Sequence, residues 1–211
     1  MIYIENIFVC LAIPLVLCIL FMGGRTRTFM LFMITGMGVC LLSAYVNSFF
    51  MGHYGVSATV AVVEITPVCE EVMKLLPLLF YFLIFEPRVQ DLPEAAVALA
   101  VGFATFENVC YLIQNGADRF ALIFFRGFGT GAMHVLCGMI VGGGLAYAWQ
   151  QTWLKIAGTC GLLGAAITLH AIYNLLIAYG GAAQYVAYAL PVLLMAAGKL
   201  SALHVARNQE L

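Results

Sequence analysis

Long apolar stretches follow one another along the chain, and short polar segments separate them. A helix needs about 20 mostly apolar residues to cross the hydrocarbon core of a bilayer. Stretches of this length predict seven transmembrane helices, at residues 4–22, 29–50, 57–84, 95–114, 120–148, 156–179 and 183–203. The connections between them are too short to hold a separate soluble domain. The pattern therefore predicts an all-α polytopic integral membrane protein with one domain over residues 1–211.

The composition supports this prediction. The chain has 64% hydrophobic and only 9% charged residues, whereas soluble domains have about 45–50% apolar and about 25% charged residues. We therefore expect the helices to be surrounded by lipid. The net charge of −1 provides no basic patch and argues against a nucleic-acid partner. The seven cysteines lie inside apolar runs without a CxxC pair, so we expect buried thiols rather than disulfides or a zinc framework.

The first apolar run and the basic residues predict the orientation. Glu5 precedes the first run in place of a basic segment, which indicates a retained span rather than a signal peptide. In a seven-span arrangement, only Arg119 and an interfacial Arg126 fall on one side. The other side carries Arg25, Arg27, Arg88, Lys155, Lys199 and Arg207. Since cytoplasmic loops are enriched in Lys and Arg, we expect the N-terminus outside and the C-terminus in the cytoplasm.

Proline and glycine predict local features of two spans. Pro67 has no N–H for the carbonyl of Val63, which favours a kink in the third span. In the fifth span, the pairs Gly127/Gly131 and Gly138/Gly142 have the four-residue spacing that lets two helix backbones approach closely.

Polar side chains are concentrated in spans three to six, within about residues 57–179. Ionisable residues inside a membrane are costly and usually functional. Four successive helices carry them at overlapping depths, so we expect one common pocket. Its predicted members are Glu70, Glu71, Lys74, Glu107, Asn108, His134, His170 and Asn174.

The spacing of these residues supports convergence. Glu70 and Lys74 are four residues apart and therefore share a helix face, as do His170 and Asn174. Lys74 is also three residues from Glu71, so it can neutralise either carboxylate.

Four other polar residues are predicted to lie outside the pocket. Glu64 is placed nearer the outer face, and Arg126 is expected to be an interfacial anchor that extends outward. No functional role is predicted for His53 or His204.

These groups are suited to hydrolysis of an amide. A carboxylate shielded from bulk water can act first as general base and then as general acid. Histidine and asparagine side chains can donate to the negative charge that develops on the carbonyl oxygen. The sequence contains no HExxH motif, which would have indicated a zinc protease.

The order of these motifs resembles that of the PrsW family. The motifs are EExxK at Glu70–Lys74, FxxxEN at Phe103–Asn108, an isolated His134, and HxxxN at His170–Asn174. PrsW proteins are glutamic-type intramembrane proteases related to the type II CAAX prenyl endopeptidases. The CAAX branch has EExxxR and FxxxH, so Lys74 and Glu107 favour the PrsW branch.

The resemblance implies a role for each matched residue. Glu70 and Glu71 would activate a water molecule, with Lys74 balancing their charge. Glu107 and His134 would complete the water site, and His170 and Asn174 would stabilise the oxyanion. The implied substrates are membrane-anchored proteins, in some members anti-sigma factors, and no metal or other cofactor is expected. The expected location is a bacterial cytoplasmic membrane.

Three alternatives remain open from the sequence. Two histidines and several glutamates on facing helices are also a ligand set for zinc or iron. Glutamate, histidine and lysine at mid-membrane depth also serve as proton relays in transporters. An inactive scaffold with the same fold is the third alternative.

Overall fold

The computed structural model describes residues 4–116 and 118–209, the side chains of residues 201–209 excepted. The side chains of His204 and Arg207 therefore lie outside the described part. Short 3₁₀ helices precede two of the α-helices, at Val89–Asp91 and Thr152–Leu154. The described residues contain eight α-helices, which are α1 (Ile4–Phe21), α2 (Gly24–Tyr54), α3 (Ala58–Glu64), α4 (Thr66–Phe85), α5 (Leu92–Asn115), α6 (Phe120–Ala148), α7 (Lys155–Tyr179) and α8 (Gly181–Gln209). The all-α prediction is confirmed.

Six of the described helices, α1, α2, α5, α6, α7 and α8, are long and apolar enough to cross a membrane. Helix α4 has 20 residues but carries three charged side chains, which lowers its apolar character. The polytopic prediction is therefore confirmed, and the predicted number of seven is reached when α4 is counted with the six.

The third predicted span, over 57–84, is divided into two helices. Ser57 caps α3 by accepting a hydrogen bond from the backbone N–H of Val60. Helix α3 ends at Glu64, and α4 begins at Thr66 with Pro67 in its first turn. Proline is well suited to this position because the first-turn N–H groups have no partner inside the helix. The interruption lies where Pro67 predicted it, immediately before the acidic pair.

Helix α5 is the centre of the molecule. Its residues Ala98, Ala100, Phe103 and Phe106 have no solvent-exposed surface. Helix α2 crosses α5 at two glycines, where a Cβ atom on Gly36 or on Gly102 would lie 2.0 Å from a carbonyl oxygen of the other helix. The two backbones are therefore in direct contact.

Helix α6 packs against another face of α5. A Cβ atom on Gly138 would lie 2.9 Å from Ala100, and one on Gly142 would lie 2.5 Å from Ala96. Close packing at this glycine pair was predicted and is confirmed. The same prediction is wrong for Gly127 and Gly131, because a Cβ atom at either position would meet no atom within 4 Å.

Candidate active site

Helix α4 supplies three buried charged groups. Glu70, Glu71 and Lys74 are exposed by only 7%, 3% and 5%. The spacings of three and four residues between Lys74 and the glutamates place all three on the side of α4 that faces the bundle. Buried charges need partners, and Lys74 and Glu71 find theirs in each other and on α6 and α7.

The first partner is His134 on α6. The ammonium Nζ of Lys74 donates to Glu71 Oε1 at 2.7 Å and to His134 Nδ1 at 2.8 Å. Since an ammonium group can only donate, Nδ1 of His134 must be the accepting nitrogen. The proton of the neutral imidazole is then on Nε2, which donates to Glu107 Oε2 on α5 at 2.7 Å.

Arg126 on α6 extends this series of hydrogen bonds beyond Glu107. Its Nη2 donates to Glu107 Oε1 at 3.1 Å, and its guanidinium group lies 3.7 Å from the centre of the Tyr111 ring. Arg126 therefore faces into the bundle, and its predicted role as an outward-facing anchor is wrong. Its position seven residues into α6 is the signal that could have indicated a buried partner.

His170 on α7 is the last member of this series of hydrogen bonds at the Glu71 end. Its Nδ1 donates to Glu71 Oε1 at 2.8 Å, and its Nε2 lies 3.8 Å from Glu70 Oε2. The rings of His134 and His170 are 5.1 Å apart and nearly perpendicular. A continuous series of hydrogen bonds thus links four helices, and we call it the polar chain. Its members, in order, are Arg126, Glu107, His134, Lys74, Glu71 and His170.

Phe103 shields the middle of the polar chain. Its ring centre lies 4.9 Å from that of His134 and 4.3 Å from Lys74 Nζ. The aromatic face attracts the ammonium group and keeps water away from that side. The four-residue spacing of Phe103 and Glu107 places both on one face of α5.

Glu70 differs from the other two carboxylates. Its Oε2 is buried and has no hydrogen-bond partner among the described residues. Glu71 is paired with Lys74, and Glu107 is paired with Arg126. Glu70 is therefore the carboxylate of the three that has no paired cation among these groups. Glu70 lines a cavity of about 490 Å³ between α1, α2, α4 and α5, which also reaches Glu107.

The two asparagines lie outside the polar chain. Asn108 lines a small cavity of about 50 Å³ beside Arg126, and its Oδ1 is buried without a described partner. Asn174 donates to the backbone carbonyl of Val62 at 2.9 Å. It therefore connects α7 to α3 just before the interruption at Ile65.

A metal ion could be held by three of these residues. Glu70, His134 and His170 each offer a ligand atom, and these atoms lie within 4.8 Å of one another. Two imidazoles and one carboxylate are a ligand set of catalytic zinc sites. Both ring nitrogens of His134 are engaged, however, by Lys74 and Glu107. The set therefore fits a metal in donor type and spacing, provided that His134 gives up one hydrogen bond.

The fold and the site define a class of protein, a multispan membrane protein with a buried acid–base centre shared by four helices. A model of the PrsW family of intramembrane metalloproteases matches residues 15–197. The chain belongs to this family and is a membrane protease. Neither a curated protein nor a solved structure matches it.

Proposed function

We propose that the chain hydrolyses a peptide bond of a membrane-anchored protein by means of a water molecule activated by Glu70. The observation that carries the proposal is that Glu70 lines the 490 Å³ cavity next to the polar chain and has no hydrogen-bond donor among the described residues. An acceptor without a donor can receive a proton from water, whereas Glu71 Oε1 already accepts from Lys74 and His170. Glu70 is accordingly the general base.

The reaction balances within the site. Glu70 takes a proton from water while the water oxygen forms a bond to the carbonyl carbon. The resulting tetrahedral intermediate carries the negative charge on the former carbonyl oxygen. It collapses as the C–N bond breaks and Glu70 returns the proton to the leaving nitrogen, so the same carboxyl group serves as base and then acid.

His170 is the proposed oxyanion donor. Glu71 holds its Nδ1, as the aspartate of a Ser-His-Asp triad holds its histidine. Because Nδ1 already donates to Glu71, donation to the oxyanion comes from Nε2, the nitrogen that faces Glu70, and requires a proton on that nitrogen. Asn174, the other predicted oxyanion donor, is instead assigned to holding α7 against α3, because its amide donates to Val62.

The remaining polar-chain residues support the oxyanion donor. Lys74 fixes Glu71, which holds His170. His134 binds Lys74 and is itself held by Glu107, which Arg126 contacts. Proteins anchored in the membrane, with anti-sigma factors as one implied group, are the proposed substrates, and a bacterial cytoplasmic membrane is the proposed location.

A comparison of membrane proteomes tests the proposal. We expect a protein that is cleaved in cells with the wild-type chain to accumulate uncleaved with Glu70→Gln, since loss of a general base costs about 10²–10⁴-fold in rate. Glu70→Gln is isosteric and breaks no hydrogen bond at Oε2. Glu64→Gln is the matched control because Glu64 is exposed on α3, and it should cleave normally. Full cleavage by Glu70→Gln, or by both Glu71→Ala and His170→Ala at normal expression, would contradict the assignment.

A metal-dependent hydrolase is the second candidate, favoured by the mutual spacing of Glu70, His134 and His170. A zinc ion held by these residues would lower the pKa of its bound water and polarise the carbonyl group. Metal analysis of the purified protein distinguishes the two. About one equivalent of metal, with activity lost to a chelator and restored by zinc, would establish the metal-dependent reaction. Activity that is indifferent to chelators in metal-free protein would establish the glutamate-dependent one.

A further inference from the structure

The 490 Å³ cavity has a lining that is mostly apolar by area but carries polar side chains along its length. It extends from Ile4 and Glu5 at the beginning of α1 to Glu70 and Glu107 in the site. Hydroxyl and amide groups line the path between them, including those of Ser43, Ser48 and Gln114. Such a lining is suited to water and to an extended polypeptide, whose own backbone groups need hydrogen-bond partners.

Two residues that line this cavity each carry an enclosed acceptor oxygen with no donor among the described residues. One is Glu70 Oε2, the proposed base, and the other is Oδ1 of Asn47 on α2, which is also buried. The amide nitrogen of Asn47 is fixed, because it donates to Thr66 Oγ1 at 3.1 Å. Thr66 lies one helical turn before Glu70, so this hydrogen bond holds Asn47 beside the α4 face that carries the base.

The cavity is also acidic. Glu5, Glu70 and Glu107 line it, and no lysine, arginine or histidine is among the described lining residues. Glu107 is paired with Arg126, so Glu5 and Glu70 provide the unpaired acidic groups. At the outer rim, Tyr45 donates to the carboxylate of Glu5 and so connects α2 to α1. A cavity with carboxylates at both ends attracts cations and repels anions.

We propose that this cavity binds the substrate as an extended segment with a basic side chain, and that Asn47 positions it. Asn47 Oδ1 accepts a hydrogen bond from a backbone N–H of the segment, and Glu5 attracts the basic side chain at the rim. This inference rests on the proposed peptidase function and adds the substrate class and a positioning residue. A lipid tail or an intact apolar helix would leave Asn47 Oδ1 and Glu70 without partners.

The first test measures the cavity without measuring cleavage. Cys110 lines the cavity, so a full-length variant with Cys110 as its only cysteine reports access through the rate of thiol modification. The probes are the cationic trimethylammonium-ethyl and the anionic sulfonatoethyl methanethiosulfonates, each rate divided by that with 2-mercaptoethanol. We expect the cationic reagent to react at least about tenfold faster, and Glu5→Gln to reduce this preference about threefold. Equal normalised rates, or no modification of Cys110, would overturn the proposal.

The second test measures recognition of the backbone. The capped peptide acetyl-Ala-Ala-Lys-Ala-Ala-amide should protect Cys110 from modification at concentrations about tenfold lower than the analogue with Glu in place of Lys. An analogue with methylated backbone nitrogens should protect about tenfold less well, since it has lost its N–H donors. Equal protection by all three peptides would overturn the proposal.

Variants separate positioning by Asn47 from a purely structural role. Asn47→Leu should raise the protecting concentration of the lysine peptide about tenfold and make the N-methylated peptide equivalent to it. Thr66→Val removes the same contact between α2 and α4 but keeps the Asn47 carbonyl, so protection should change less than about threefold. An equal loss in the two variants would indicate that Asn47 only holds the helices together, and would overturn the proposal.

The results that would contradict the peptidase proposal differ from those that would contradict the cavity proposal. Selective labelling and protection in a protein that cleaves nothing would contradict the peptidase proposal alone. Cleavage that depends on Glu70, together with an inaccessible Cys110, would contradict only the proposed cavity route.

Discussion

Glu70 and Glu71 are adjacent in the sequence, yet their carboxylates have different neighbours. Successive residues of an α-helix point about 100° apart. Glu71 therefore lies in the polar chain between Lys74 and His170, whereas Glu70 faces the cavity. A carboxylate with two donors on one oxygen is held in place, and one with a free oxygen is available to water. This difference is the basis for assigning Glu70 as base and Glu71 as its support.

Arg126 is expected to act on catalysis through Glu107. Arg126→Gln leaves Glu107 with His134 as its remaining partner and takes away the cation at that end of the polar chain. We expect kcat to fall about 10–100-fold with little change in KM, because the change affects the orientation of the polar chain rather than the cavity. Unfolding in detergent should become easier by about 1 kcal/mol, a small effect because both side chains are partly exposed.

Arg126→Lys and Arg119→Gln are the controls for this prediction. Lysine keeps the charge but loses the stacking on Tyr111, so it should recover most of kcat. Arg119 is exposed at the start of α6, and its replacement should have no effect. A rise in KM alone in Arg126→Gln would indicate that Arg126 contacts the substrate instead.

The free-energy cost of burying charged side chains predicted which residues meet, but the sequence did not predict the direction in which each side chain points. The cost of burying Glu71, Lys74 and His134 predicted that they meet, and the structure brings them into contact. The inward direction of Arg126 and the turn of Asn174 toward Val62 depend on helix rotation. Rotation is set by packing over the whole bundle, and spacing along one helix does not determine it.

The contact between α2 and α5 brings the two helices together beside the cavity. Gly36 and Gly102 each lie against a backbone carbonyl group of the other helix. This approach brings the α2 side of the cavity, with Asn47, close to Glu107 on α5. Side chains larger than hydrogen at either glycine would separate the two helices.

Alanine at these glycines is therefore expected to destabilise the protein. A Cβ atom 2.0 Å from a backbone oxygen cannot be accommodated without movement of a helix. We expect Gly36→Ala and Gly102→Ala each to cost about 1–3 kcal/mol, measured as a lower thermal unfolding temperature in detergent. Gly52→Ala is the control on α2, since its Cβ would meet nothing within 4 Å. Equal stability of all three variants would contradict the direct backbone contact.

Helix existence was predictable from the sequence, but helix contacts were predictable only in part. Apolar length predicted the helices, and the missing N–H of Pro67 predicted the interruption before α4. Glycine spacing predicted the close approach at Gly138 but predicted it equally at Gly127, where an added Cβ atom would meet no atom within 4 Å. A four-residue glycine spacing permits close packing, and the partner helix decides whether it occurs.

The whole molecule has two ends of different electrostatic character. Arg25 at the beginning of α2 contacts Glu94 at the beginning of α5, and Lys155 lies over Trp149 at the end of α6. The cavity opens at the other end, between the beginning of α1 and the last turns of α5 near Gln114. If the basic end is cytoplasmic, as the distribution of Lys and Arg predicts, the cavity opens on the outer side of the membrane.

This orientation can be tested in intact cells. In a cysteine-free background, Glu5→Cys should react with a membrane-impermeant maleimide, and Arg25→Cys should react only after permeabilisation. A green fluorescent protein fused to the C-terminus should fluoresce, because we expect that end in the cytoplasm. The reverse labelling pattern would place the cavity on the cytoplasmic side. The polar chain and the role of Glu70 would be unchanged by that result, because they depend on contacts inside the bundle, but the substrate segment would then have to come from the cytoplasmic side.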